Sequence, residues 1–236
     1  MRRTLWLPVL LVLAFAGQAA AAEATFLTPG HPDLTKLLPA PPAPSSIEQY
    51  GDLAGILAIQ KTRTKAQTDR ALADDTAGTF GFADVLGPNF TAERLPKVAA
   101  LFEKIRGDAV VVANAGKDTW NRPRPYDVST AVEPVGDKPS GSSYPSTSSV
   151  VGYLTAIMLA NMVPEKNAAL FARGREFGDD RVVLGVHFPT DIEAGRLAAT
   201  AVAAALLENA ALQAEFAAAK AELRQALGLY SAIDSR

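Results

Sequence analysis

The sequence predicts an all-α protein, a single helical-bundle domain built around a buried central helix. Three observations carry this. Val98, Leu101, Phe102, Ile105, Ala109 and Val112 recur at helical spacing and make one apolar face. The stretch Val150 to Met162 is almost wholly apolar, as a helix enclosed on all sides must be. No segment shows the alternation of a half-buried strand, and no repeat is found.

The elements follow in order. Arg2 and Arg3 precede an apolar run from Leu5 to Phe15, and Ala20-Ala21-Ala22 offers a small-x-small cleavage pattern before Glu23. Residues 1–22 therefore read as a secretory signal peptide, since the apolar run is short for a membrane span. The arginine pair alone does not separate general from twin-arginine export. Residues 23–44 form a Pro-rich N-terminal arm, in which Pro39, Pro41, Pro42 and Pro44 enforce extended backbone. The arm either lies on the domain or is partly disordered; His31, between Gly30 and Pro32, is a loop residue.

Residues 45–236 form the helical domain. Ser45-Ser46-Ile47-Glu48 fits a capping box, and the helix it starts should run to about residue 73. Thr76 to Pro88 reads as a glycine-rich loop. Thr91 caps the next helix and Gly116 ends it. Thr119 to Tyr144, rich in Pro and Gly, should be a long ordered loop, and loops of that length usually carry function. The apolar central helix comes next. Pro164 starts another helix ending near Gly178, and Pro189–Leu207 and Asn209–Leu227 complete the set.

The chain has 236 residues and a formal net charge of −2. It shows no broad basic field for nucleic acid. It contains no cysteine, so disulfides and thiolate metal sites are ruled out. No stretch after Glu23 is apolar enough to span a bilayer, so a soluble, exported mature protein is expected, periplasmic or secreted.

Three stretches carry candidate chemistry. Gly178 to Asp191 holds His187, one of only two histidines, with Arg181 six positions before it and Asp191 four after. Pro189 favours a helix start, which sets His187 just outside the helix and Asp191 in its first turn. A carboxylate there can fix the imidazole tautomer and leave the other nitrogen as a nucleophile. Arg181 offers a planar fork of donors to an oxyanion. The plainer reading is a surface histidine beside a capping aspartate. Lys117 to Pro125 packs Lys117, Arg122 and Arg124 into nine residues, rigidified by Trp120 and two prolines; the plainer reading is a solvated surface run. Ser142 to Ser148 leads into the apolar helix, where hydroxyls and free N–H groups make an anion site or simply a Ser/Thr cap. Together the three supply cationic, hydroxyl, helix-dipole and imidazole groups suited to phosphate.

On these residues the chain resembles the bacterial class A non-specific acid phosphatases, of the type 2 phosphatidic acid phosphatase and vanadium haloperoxidase superfamily. That family's pattern is Lys-x6-Arg-Pro, then Pro-Ser-Gly-His, then Ser-Arg-x5-His-x3-Asp. Lys117 with Arg124-Pro125 matches the first block, and Arg181, His187 and Asp191 match the third. The likeness covers essentially the whole mature chain, including Val85-Leu86-Gly87-Pro88 and the segment Val163 to Lys166. Three ordered blocks are far more specific than one.

The resemblance implies that Lys117, Arg124, Ser146, Thr147 and Arg181 bind the phosphoryl group, that His187 attacks phosphorus to form a phosphohistidine, and that Asp191 orients it. It implies no cofactor and no metal. The partners it implies are small phosphomonoester substrates and inorganic phosphate, with no nucleic acid and no membrane after signal cleavage; homo-oligomerisation stays open.

Three departures stand out. Pro145-Ser146-Thr147-Ser148 replaces Pro-Ser-Gly-His. Thr147 stands where the family glycine lets a backbone N–H approach phosphate, and Ser148 stands where a histidine acts as general acid. Asp180 replaces the serine before Arg181, an anion that repels phosphate unless Arg181 pairs with it or it takes up a proton. A weakened or leaving-group-selective phosphatase is therefore expected. The alternatives are a non-catalytic phosphate-binding relative and, last, a vanadate haloperoxidase, whose chemistry also uses the replaced histidine.

Overall fold

Among the described residues, 24–28 and 30–229, the computed structural model contains ten α-helices, two short 3-10 helices and no strand. The expected leader, residues 1–22, lies outside the described residues. In chain order the helices are α1 (Leu34–Leu37), α2 (Ile47–Thr62), α3 (Lys65–Ala77), α4 (Ala83–Leu86), α5 (Pro96–Trp120), α6 (Pro125–Val128), α7 (Thr147–Met162), α8 (Asn167–Val183), α9 (Pro189–Leu207) and α10 (Ala210–Ala226).

The central helix is α7. It packs most extensively on α8 and α9, then on α5. Val150, Leu154, Ala156, Met158, Leu159 and Met162 on it are essentially inaccessible, which is why its sequence is apolar all round. Glycines let the backbones close in. A β-carbon on Gly174 would fall 2.5 Å from the Ala156 β-carbon, and one on Gly195 would fall 2.6 Å from that of Ser149. The second contact draws the start of α9, with Asp191, against the start of α7. There the Ser146 N–H donates to the Asp191 carbonyl at 3.0 Å.

The Pro-rich arm lies on the helices. Phe26, Leu27, Leu34 and Leu38 join the main core. The fully buried Asp108 of α5 accepts from the backbone N–H groups of Thr25 at 2.7 Å, Phe26 at 3.1 Å and Leu27 at 3.3 Å. A buried carboxylate satisfied by three donors fixes the arm without a counter-ion. His31 is exposed in a turn beside it.

Several boundaries differ from the sequence expectation, each for a local reason. The helix expected to run from Ile47 to about residue 73 is broken at Arg63, whose backbone is extended. Thr64 then starts α3 with a reciprocal capping box to Gln67. Arg63 is held at the break by donating to the Val183 and Glu133 carbonyls, each at 2.8 Å. The expected loop from Thr76 to Pro88 contains a 3-10 turn, Gly78–Phe82, and α4. The helix α5 begins at Pro96, not Thr91, and passes Gly116 to end at Asn121, whose left-handed φ of 43° terminates it. Lys117 therefore rides on the last turn of a helix rather than in a loop. Likewise α8 runs past Gly178 to Val183 and carries Asp180 and Arg181.

Candidate active site

The site forms where the C-terminal ends of α5 and α8 meet the N-terminal ends of α7 and α9. Pro189 opens α9, so His187 sits two residues ahead and Asp191 occupies the first turn. Both are buried, His187 at 3% and Asp191 at 0% exposure. The Asp191 Oδ2 accepts from the Phe188 N–H at 2.8 Å and from the Ser143 hydroxyl at 2.5 Å.

The tautomer of His187 follows from its neighbours. Arg124 NH1 lies 2.9 Å from Nε2 and can only donate, so Nε2 accepts. The ring proton then resides on Nδ1, which faces Asp191 Oδ2 at 3.4 Å and Ser143 Oγ at 3.3 Å. Burial pushes the imidazole down to about 4 from its ordinary 6.5; Asp191 opposes this, and the Arg124 and Lys117 charges add to it. Burial alone would raise Asp191, but His187, Arg122 and Ser143 outweigh it and hold the carboxyl below its ordinary value. The pair is therefore neutral imidazole and carboxylate in mild acid, the state a nucleophilic nitrogen requires.

The sign of the pH effect follows. Neutral His187 is present above about pH 4, and the unfolded chain binds the proton from about 6.5 downward. Between those values the unfolded state holds more protons, so the stability owed to this group is full above pH 6.5 and declines toward pH 4. An acid limb of kcat/KM with an inflection near pH 4 is the expected kinetic counterpart, read from a pH–rate profile on a substrate whose own ionisation is known.

Lys117, Arg124 and Thr147 share a polar cavity of about 570 Å³ with Asn114, Asn121 and Ser140. Lys117 Nζ donates to the Ser142 carbonyl at 2.8 Å. Burial, and after it the Arg124 charge, pull its ammonium down to about 8, with Asp191 opposing. Arg124 also donates to the carbonyls of Gly141 and Val186, each at 3.0 Å. Arg181 lies near enough for its charge to act on Arg124. Its NH1 pairs closely with Asp75, and its buried Nε has no hydrogen-bond partner. Ser146 is fully buried, and its hydroxyl caps α7 by accepting the Ser149 N–H at 3.3 Å. Thr147 and Ser148 are half-buried on the first turn of α7.

Asp180 does not pair with Arg181. It turns toward α3, where Arg70 NH2 donates to its Oδ1 at 2.6 Å. Burial, and then the neighbouring Asp74 carboxyl, push it up to about 7 against the pull of Arg70. The helix geometry explains the difference, because adjacent residues on α8 point about 100° apart. Arg181 takes Asp75 of α3 as its partner instead.

Three contributors are not among the matched motif residues, although Arg122 and Ser143 fall in stretches the sequence singled out. Arg122, 4% exposed, donates to Asp191 Oδ1 at 2.5 Å, Asp52 Oδ2 at 2.7 Å, Gln49 Oε1 at 2.7 Å and the Thr190 hydroxyl at 2.8 Å. Its guanidinium also stacks 4.1 Å from the Phe188 ring centroid. Ser143 bridges Asp191 and His187, and Asp52 supplies Arg122 with a second carboxylate. The signal for Arg122 was its place in the cationic run; its partners lie about 70 residues away in either direction. Arg122→Met is expected to strand Asp52 and Asp191 as buried charges and to cost about 3–5 kcal/mol of stability. Urea unfolding with an unchanged m-value checks it, and a loss below about 1 kcal/mol would mean the carboxylates find other partners.

The sequence matches the PAP2 superfamily over residues 99–212. A non-specific acid phosphatase of Providencia stuartii is 32% identical over 202 residues, covering 80% of each chain. An acid phosphatase of Zymomonas mobilis is 30% identical over 209 residues, 83% of this chain and 77% of that one. A non-specific acid phosphatase of Salmonella typhimurium is 29% identical over 159 residues, 65% of this chain and 63% of that one. The chain belongs to the PAP2 superfamily and, within it, to the non-specific acid phosphatases.

Proposed function

We propose that the protein is an exported acid phosphatase that hydrolyses phosphomonoesters through a phosphohistidine on His187 and is selective for good leaving groups. The observation that carries the reading is the chain Arg122–Asp191–His187, ending at a neutral Nε2 in contact with Arg124, which lines the polar cavity together with Lys117. Export rests on the leader pattern of residues 1–22.

In the resting site Arg124 donates to Nε2. A bound phosphoryl group gives that guanidinium a charged acceptor and frees the Nε2 lone pair. Lys117, Arg124 and Arg181 offset charge on the phosphoryl oxygens, and the unpartnered Arg181 Nε is a ready donor. Nitrogen bonds to phosphorus as the ester P–O bond breaks, and Asp191 stabilises the cationic ring. Water then cleaves the P–N bond and releases inorganic phosphate. Ser148 cannot protonate the leaving oxygen in mild acid, so the first step depends on how well the leaving group carries negative charge.

Millimolar phosphate or vanadate should raise the melting temperature, because a ligand at ~100 Kd adds about 2.7 kcal/mol to the folded state. No shift with either anion would count against an intact pocket. The departure at Ser148 also favours a second reading, a phosphate-binding relative without turnover. Hydrolysis of an aryl phosphate by the purified protein separates the two.

A further inference from the structure

A second cavity, of about 210 Å³, lies on the other side of Thr147. Its lining includes Thr147 and Ser148 from the first turn of α7, and its apolar walls are Phe82, Val110, Val151 and Phe177. Phe82 and Phe177 stack with their centroids 5.2 Å apart and their planes 27° from parallel. Thr147 is common to this cavity and to the polar one that holds Lys117 and Arg124. Along α5 the lining residues continue from Arg106 and Val110 in one to Asn114 and Lys117 in the other. The two cavities therefore follow one another along α5, and Thr147 lies at their shared boundary.

We propose that the apolar half holds the leaving group of the substrate, that this group is an aryl ring, and that Thr147 sets its access. The inference rests on the phosphatase reading and deepens it. Three observations point the same way. A cavity of about 150 Å³ lined by Leu, Ile and Phe is enough to hold benzene, so the about 210 Å³ here suits a compact aryl group. A stacked aromatic floor takes a further ring in offset geometry. Ser148, in the lining of the apolar cavity, offers no proton, and a phenolate leaves without one where an alkoxide does not. The two carboxylates at this cavity do not contradict an uncharged ring. Asp74 is tied to Arg173 by two contacts of 2.6 Å, and Asp75 is paired with Arg181.

The test compares 1-naphthyl phosphate with acetyl phosphate, which has a good leaving group and no ring. Val151→Phe fills the apolar half, and Val110→Phe does so from the opposite wall. Each should lower kcat/KM for naphthyl phosphate by roughly 10–200-fold, mainly through KM, the range expected when an apolar contact is lost. Turnover of acetyl phosphate and inhibition by inorganic phosphate should stay unchanged. Thr147→Gly should favour naphthyl over acetyl phosphate relative to the unmodified protein. Equal losses on both substrates in both filled variants, or no loss on the naphthyl ester, would overturn the subsite and leave the phosphatase reading standing. No turnover of either substrate by the unmodified protein would instead overturn the phosphatase reading, and the subsite with it.

Discussion

His187→Ala is expected to remove turnover of aryl phosphates, by roughly 10⁴–10⁶-fold, the scale on which loss of a covalent nucleophile acts. The expectation rests on geometry. Nε2 is the one ring nitrogen free of the Asp191 side, and it is held neutral by burial. No other histidine can substitute, because His31 is exposed in the arm. Asp191→Asn should cost less, since the ring remains but loses the charge that fixes its tautomer and stabilises the cation. A stability control is needed, because both side chains are buried and Asp191 anchors Arg122. Phosphate-dependent thermal shift in the His187 variant supplies it: an intact cation set still binds the anion. Labelled phosphohistidine trapped without acid in the unmodified protein supports the route directly. A His187→Ala protein that kept its activity would show that the covalent route is wrong.

The double change Thr147→Gly with Ser148→His is expected to raise turnover of alkyl phosphates by about 10²–10⁴, with far less effect on the best aryl substrates. Both positions lie on the first turn of α7, where Thr147 lines both cavities and Ser148 lines the apolar one. A histidine there gives a proton donor to the leaving oxygen, and glycine removes the side chain that crowds the backbone N–H. In the unmodified protein the rate should fall steeply as the leaving group becomes more basic; in the double variant the dependence should flatten. Asp180 is the rival donor, since it is pushed up to about 7 and holds a proton in acid. Its place argues against it. The side chain is 1% exposed and faces Arg70 of α3, whereas Asp75 is the neighbour that reaches Arg181. A shallow slope in the unmodified protein, abolished by Asp180→Asn, would restore Asp180 as the acid and refute the account of Ser148.

The all-α class, the central helix and the three blocks were legible because each is written in short-range pattern. An enclosed helix must be apolar on every side, so Val150–Met162 announces α7. Proline at the first helical position fixed the start of α9 at Pro189, and with it the placement of His187 ahead of the helix and Asp191 in its first turn. The break at Arg63 was also local, in the Thr64–Gln67 capping box, but no glycine or proline marks it, so the helix reads as continuous.

What the tertiary structure alone decided is who pairs with whom. Arg122 joins Gln49 and Asp52 of α2 to Asp191 of α9, across sequence separations of 73, 70 and 69 residues, so no spacing rule could reveal it. Asp180 and Arg181 are adjacent in sequence, which left open whether the arginine or a proton offsets the aspartate. A helix turns them apart, and α3 supplies each with its own partner, Arg70 and Asp75. Thr147 read as a blemish in a phosphate-binding loop; packing along α5 makes it the wall between a polar and an apolar cavity. Pattern along the chain specifies which faces must be buried, because burial of apolar surface is non-directional and needs only the right residue type. The partners of a charge or hydroxyl depend on direction and distance to a few ångströms, and those are set only when the helices pack.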